Sequence, residues 1–261
     1  MDLPSAESWT YRLLALASLQ QTIELLALRR EFADDGMFSW RVLRVEHRSL
    51  TWPLRLLFGL LLPDRSFVAS LWLRLALGGL LFWGHGVSAL PLCLLHVAGC
   101  VRFRGTFNGG SDYMSVQVLL ATSFAWALRG VPLAPAALYV YVAVQLVLSY
   151  FLAGIAKLRE RAWRDGSALG EFLREPRFAT PSGLAEVAEP AALGRPLCWL
   201  VVGFECAFPL ALLSPRLAVA FMSMGCLFHF AIALAFGLNR FFWAWLAAYP
   251  SLLFASTLVH W

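Results

Sequence analysis

Charge is scarce in this sequence, and lysine is nearly missing. Charged residues fill 14% of the 261 positions, and Lys157 stands alone as a lysine among arginines. A soluble domain carries about 25% charged residues. With 60% hydrophobic residues and a mean hydropathy of +0.68, a chain of this size has more apolar surface than one aqueous core hides. That excludes an ordinary soluble globule and makes lipid the solvent for much of the chain. Cysteine is also sparse: Cys93, Cys100, Cys198, Cys206 and Cys226 all sit in or beside apolar stretches, and none is in CxxC spacing. They are expected to be small buried hydrophobes, with no metal site. Internal repeats and low-complexity tracts are absent, so residues 1–261 are expected to form one domain.

What is present is a succession of apolar runs. A bilayer core of ~30 Å requires about 20 apolar residues per helix. Spans are expected near 11–29, 67–83, 87–103, 113–130, 136–157, 196–213, 216–236 and 241–260. The fold class is therefore all-α, a polytopic transmembrane helical bundle of about eight spans, multi-pass in the cell membrane. The first span is the least apolar, because it contains Gln20, Gln21 and Glu24, and an interfacial position is its alternative. Its acidic start and the missing small-residue cleavage site argue against a signal peptide. Leu54–Leu62 is too short to cross and reads as an interfacial or re-entrant helix. Trp83, Trp126, Trp163 and Trp261 fall near span ends, where aromatic belts form. The stretch 158–195 is rich in proline and is expected to be irregular, with one short helix.

The net charge of +5 does not point to nucleic acid, because the basic residues are spread over loops rather than gathered in a module. Alternating eight spans puts most of them on one side. That side holds Arg29, Arg30, Arg41, Arg44, Arg48, Arg55 and Arg65, then Arg102 and Arg104. It continues with Lys157, Arg159, Arg161, Arg164, Arg174, Arg177 and Arg195, and ends with Arg240. Arg12, Arg129 and Arg216 fall on the other side, and Arg74 lies inside a span. The positive-inside rule then puts the basic side in the cytoplasm and both termini outside it.

Polar groups inside apolar runs are costly to place, which makes them candidates for function. Lys157 ends an apolar run, with Tyr150, Gly154 and Arg161 on the same face by helical spacing. It reads either as an anchor snorkelling to the interface or as a group whose proton can be lost on desolvation. Glu205 falls mid-span and requires a partner, a proton or a wet cavity. His229, between Phe228 and Phe230, reads as a packing residue or a functional one. Asn108-Gly-Gly-Ser-Asp112 reads as a tight turn in which Ser111 or Asp112 caps the next helix. Its glycines would also let backbone approach a ligand.

The string Tyr150-Phe-Leu-Ala-Gly-Ile-Ala-Lys-Leu158 is followed by Trp163 and Gly166, and then by His229, Gly237, Phe241 and Tyr249-Pro250. In this order the residues resemble the HTTM domain, the transmembrane domain shared with vitamin K-dependent gamma-carboxylases. The Asn108–Asp112 turn and the position of Glu205 fit the same family pattern. The resemblance implies that Lys157 acts as the base towards a vitamin K-like quinol, with His229 and Glu205 beside it. It implies a ligand cavity near these residues, and Tyr150, Gly154, Asn108 and Asp112 as ligand-binding positions. The soluble C-terminal part of the carboxylases has no counterpart before Trp261, and the loop expected to hold their other histidine reads Asn-Gly-Gly-Ser-Asp. Quinol chemistry is thus a closer expectation than carboxylation of protein glutamates. Short bacterial members of the wider family include a membrane protein that matures a sporulation-delaying peptide toxin. The alternative implied is a non-enzymatic accessory protein for a small secreted peptide.

Overall fold

The computed structural model describes residues 1–45, 51–103, 109–176, 178, 180–181 and 191–259. Among the described residues the fold is all-α, with twelve α-helices and no strand. Asp2 starts α1 (Leu3–Ala27) by accepting a hydrogen bond from the Ser5 N–H at 3.1 Å, with Pro4 in the first turn. Two short elements follow, α2 (Trp40–Leu43) and α3 (Trp52–Leu61). No residue of α3 is buried, and Trp52, Leu56 and Leu60 are openly exposed. That is the arrangement expected of a short helix lying in an interface.

The bundle proper begins with α4 (Asp64–Phe82), α5 (Ala89–Arg102), α6 (Gly109–Ala127) and α7 (Ala134–Arg159). Two short helices, α8 (Arg161–Asp165) and α9 (Ser167–Arg174), stand where one was expected. The second arises because Gly166 takes a left-handed turn at φ 93° and restarts the helix. A side chain at Gly166 would run into the backbone of Arg195, so the turn also docks the next helix. Then come α10 (Ala191–Ala207), a 3-10 continuation over Phe208–Leu213, α11 (Pro215–Phe236) and α12 (Asn239–Leu258).

Five segments are long and apolar enough to cross a membrane: α4, α7, Gly194–Leu213, α11 and α12. The other three expected spans coincide with α1, α5 and α6, which are helical but shorter or more polar. The eight long elements alternate in direction between two ends. One end brings together Phe32 and Phe67, Gly110 and Phe241, Gly166 and Arg195, and Phe236 and Phe178. The other gathers Ala6, Ala125, Tyr139 and Phe254, and seats Gly86 against Trp126 and Tyr11. The described residues of the basic loops all belong to the first end, called the basic end below. Arg48, Arg104, Arg177 and Trp261 lie outside the described residues.

Burial separates a central helix from a peripheral one. In α12, 61% of the span is buried, against 17% in α11. The main core runs from Tyr11 and Leu14 through Leu92, Met114, Val118, Leu146 and Tyr150 to Ala247, Ala248 and Leu252. Outward positions carry Leu120, Phe124, Leu152, Leu227, Phe230 and Leu234, all exposed. An apolar rind around an apolar core suits lipid and not water.

Candidate functional site

Two polar clusters lie near the basic end, on opposite sides of α12. The first joins α7 to α10. Lys157, in the last turn of α7, places Nζ 2.8 Å from Glu205 Oε1 and 2.7 Å from Oε2. Glu205 is 3% exposed and Lys157 22%, so the carboxylate is sealed inside the protein while the lysine side chain is partly exposed. Trp163 of α8 also packs beside the amine, its ring centre 5.2 Å from Nζ. Gly154, one turn before Lys157, explains how the helices come so close. A Cβ there would lie 2.7 Å from the Cys206 nitrogen, 2.8 Å from its sulfur and 2.9 Å from Glu205 Cβ. Only glycine permits that approach. The face at Gly154 is thus filled by α10, and a flat ring does not fit there.

Arg161 does not share the Lys157 face. The backbone leaves helical geometry at Glu160 (ψ 130°), and Arg161 starts α8 exposed, beside Asp165. Asp165 accepts from the Ser167 N–H, which holds its carboxyl below the usual carboxylate range.

Tyr150 lies two turns before Lys157 on α7 and is buried. Its ring stacks on Phe208 at 3.9 Å, and its hydroxyl is 2.8 Å from that of Tyr249. Gly225 of α11 leaves the space in which those two hydroxyls meet. His229 packs beside Tyr150 (ring centres 5.7 Å apart), Phe228, Trp245 and Phe241. Among the described residues neither ring nitrogen of His229 has a hydrogen-bond partner. The site thus brings together Lys157, Glu205, Tyr150, Gly154 and His229, with Tyr150 between the ion pair and the imidazole.

Asp112 belongs elsewhere, and Asn108 lies outside the described residues. The helix α6 already starts at Gly109, so Gly110, Ser111 and Asp112 form its first turn and not the turn before it. Gly110 lets α12 close in: a Cβ there would be 3.2 Å from Phe241 and 3.7 Å from Trp245. Those two rings stack 5.2 Å apart and meet Gly110 with one side and His229 with another. They form a wall between the first cluster and the second.

The second cluster contains Asp112 and four partners the sequence did not single out for chemistry. Gln21 of α1 donates to Asp112 Oδ1 at 3.2 Å, and the Nη2 of Arg74, on α4, donates to Gln21 Oε1 at 2.6 Å. Arg74 is 1% exposed, and its Nε and Nη1 have no partner among the described residues. His96 Nε2, on α5, is 3.8 Å from Asp112 Oδ1, and Cys100 lies one turn further along α5. The signal available in the sequence was the four-residue spacing of His96 and Cys100, which puts them on one helix face. Alongside, Glu24 accepts from Arg240 Nε at 2.8 Å and from Asn239 and Gln20. Between these groups is a narrow cavity lined by Ser18, Gln21, His96, Ser111, Asp112 and Arg240, with room for a water-sized occupant. This cavity lies on the Asp112 side of the Phe241–Trp245 wall.

No family model, no curated protein and no solved structure matches the chain.

Proposed function

We propose that the chain is a multi-pass protein of the cell membrane with eight crossings, of the HTTM kind, in which Lys157 and Glu205 form a proton-handling site. The observation that carries this reading is the Lys157–Glu205 pair itself, with a sealed carboxylate and a partly exposed lysine beside Trp163. An intramembrane ionisable pair is costly to install and marks function more often than packing. A vitamin K-like quinol meeting the amine from the lipid side would supply a hydroxyl proton and reducing equivalents. Lys157 gives one ammonium proton to the Glu205 carboxylate, and the neutral Nζ so formed takes the quinol hydroxyl proton. The amine thus regains its charge, Glu205 ends protonated and the quinol is left as its anion. Trp163 covers that approach, and its face stabilises a cation. Tyr150, Tyr249 and His229 line the protein side of the pair. Because α10 closes the Gly154 face, the ring is held outside it, against Trp163.

Quinone content decides the matter. Chain purified from membranes into nanodiscs is expected to carry about one quinone, measured by mass spectrometry of the extract. Lys157→Arg keeps the charge but not the ability to relay, and Lys157→Ala removes both. Quinone no richer than in empty nanodiscs would refute the reading. The mutual satisfaction of Lys157 and Glu205 supports a second reading, in which the pair only locks α7 to α10 in a non-enzymatic accessory protein for a small secreted peptide. A Lys157→Arg chain that retains full cellular function would favour it.

A further inference from the structure

The geometry points to a metal site in the second cluster, formed by His96, Cys100 and Asp112 and suited to a zinc-class divalent cation with one open position. One ligand atom from each residue lies within 4.8 Å of the others. Around a tetrahedral zinc held by one nitrogen, one sulfur and one oxygen the ligand atoms are about 3.3–3.6 Å apart, from metal distances of about 2.0–2.3 Å. Side-chain rotations of about 1 Å close the set. The separation of His96 Nε2 from Asp112 Oδ1, 3.8 Å, is too long for a hydrogen bond and within about 0.5 Å of the spacing of two ligands of one ion.

An independent observation also points to a missing occupant. His96 is 4% exposed, and its Nε2 has no hydrogen-bond partner among the described residues. A buried imidazole nitrogen left unpaired is a cost to folding. Coordination removes that cost. The surroundings are those of a metal ligand set as well. Gln21 donates to the same Asp112 oxygen, and Arg74 in turn fixes Gln21, which orients the carboxylate through a chain of two hydrogen bonds.

Donor type selects the ion. One nitrogen, one sulfur and one carboxylate oxygen match zinc and its neighbours, while magnesium and calcium require six or more oxygens. Charge sets the fourth ligand. Asp112 and a Cys100 thiolate offset the dication, and Glu24 offsets Arg240, which leaves the buried Arg74 to be balanced. A hydroxide or small anion in the adjoining cavity completes both the charge and the tetrahedron. Three protein ligands with a fourth position open to a cavity is the arrangement of a reactive zinc and not of a purely structural one.

Cobalt(II) reads out the site without any assay of activity. Full-length protein in nanodiscs, stripped of metal and titrated with Co2+, is expected to bind one ion per chain. It should show a thiolate-to-cobalt band in the near ultraviolet and visible bands of tetrahedral intensity, both abolished by added Zn2+. Cys100→Ser and His96→Ala remove the bands, and Gln21→Leu weakens Co2+ binding by about tenfold. A variant with Cys93, Cys198, Cys206 and Cys226 all changed to Ser keeps them, which guards against a misfolded Cys100→Ser chain. Absence of the thiolate band in the wild-type chain would overturn the proposal. So would its survival in Cys100→Ser or its loss from the four-serine variant.

Discussion

Lys157 Nζ is held by both carboxylate oxygens of Glu205, at 2.8 and 2.7 Å, across 48 residues of sequence. The contact joins the end of α7 to the end of α10 and leaves the carboxylate no other described partner. Removing one member therefore strands the other in an apolar setting. Glu205→Leu is expected to destabilise the chain by about 2–3 kcal/mol, somewhat less than the ~3–5 kcal/mol of a fully buried broken pair because the Lys157 side chain is partly exposed. Lys157→Met with Glu205→Leu should recover most of that loss, and Glu205→Gln should keep the fold. Unfolding in mixed micelles measures all three. A double variant as unstable as Glu205→Leu alone would show that the two residues are not energetically coupled.

Gly154 offers a sharper steric test. Its substitution to alanine puts a Cβ against the backbone of Cys206, which cannot yield without moving α10. The expected cost is about 1–3 kcal/mol, typical of overpacking. Gly79 on α4 has nothing within 4 Å of the same position. There alanine is expected to be neutral or to stabilise by up to about 1 kcal/mol through helix propensity. Melting temperatures of the two variants, measured side by side, should move in opposite directions or differ clearly.

The Tyr150 and Tyr249 hydroxyls meet 2.8 Å apart in the aromatic core, and both rings are buried. Tyr249→Phe leaves the Tyr150 hydroxyl without its partner and should cost about 1–2 kcal/mol. Tyr150→Phe with Tyr249→Phe removes both polar groups and should cost no more than the single change. Chemical denaturation of the three variants checks the order.

Sidedness follows from the arginines. Reporter fusions after Arg65 and after Asp165 should report the cytoplasm, and a fusion after Val259 the opposite side. The inverted pattern would remove the positive-inside argument and place Lys157 at the outer end.

Much of the fold was legible because burial in lipid leaves long apolar runs, and five of the expected spans satisfy the length and composition of a crossing. The site was legible only in part. Lys157, Glu205 and His229 stood out because each interrupts such a run, but no periodicity links residues on different helices, so the pairing and the aromatic wall were hidden. Gln21 and Glu24 made the first span look weak. Those same residues bond Asp112 and Arg240 inside the bundle, which is why a polar helix can be central. The glycines before Asp112 read as a turn because glycine disfavours helix in isolation. In the fold they lie in the first turn of α6, and Gly110 makes room for Phe241.

The wall of Phe241 and Trp245 has a mechanical consequence. Arg240 and Trp243 touch the Asp112 cavity, while Phe241 and Trp245 cover His229. At 100° per residue these pairs sit about 150° apart around the α12 axis. The helix is thus a shared axle, and any roll that opens the gap around one cluster presses rings or side chains into the other. Because the rings of Phe241 and Trp245 sit between Gly110 and His229, a shift of the first turn of α6 towards α12 would press on the rings that cover the imidazole.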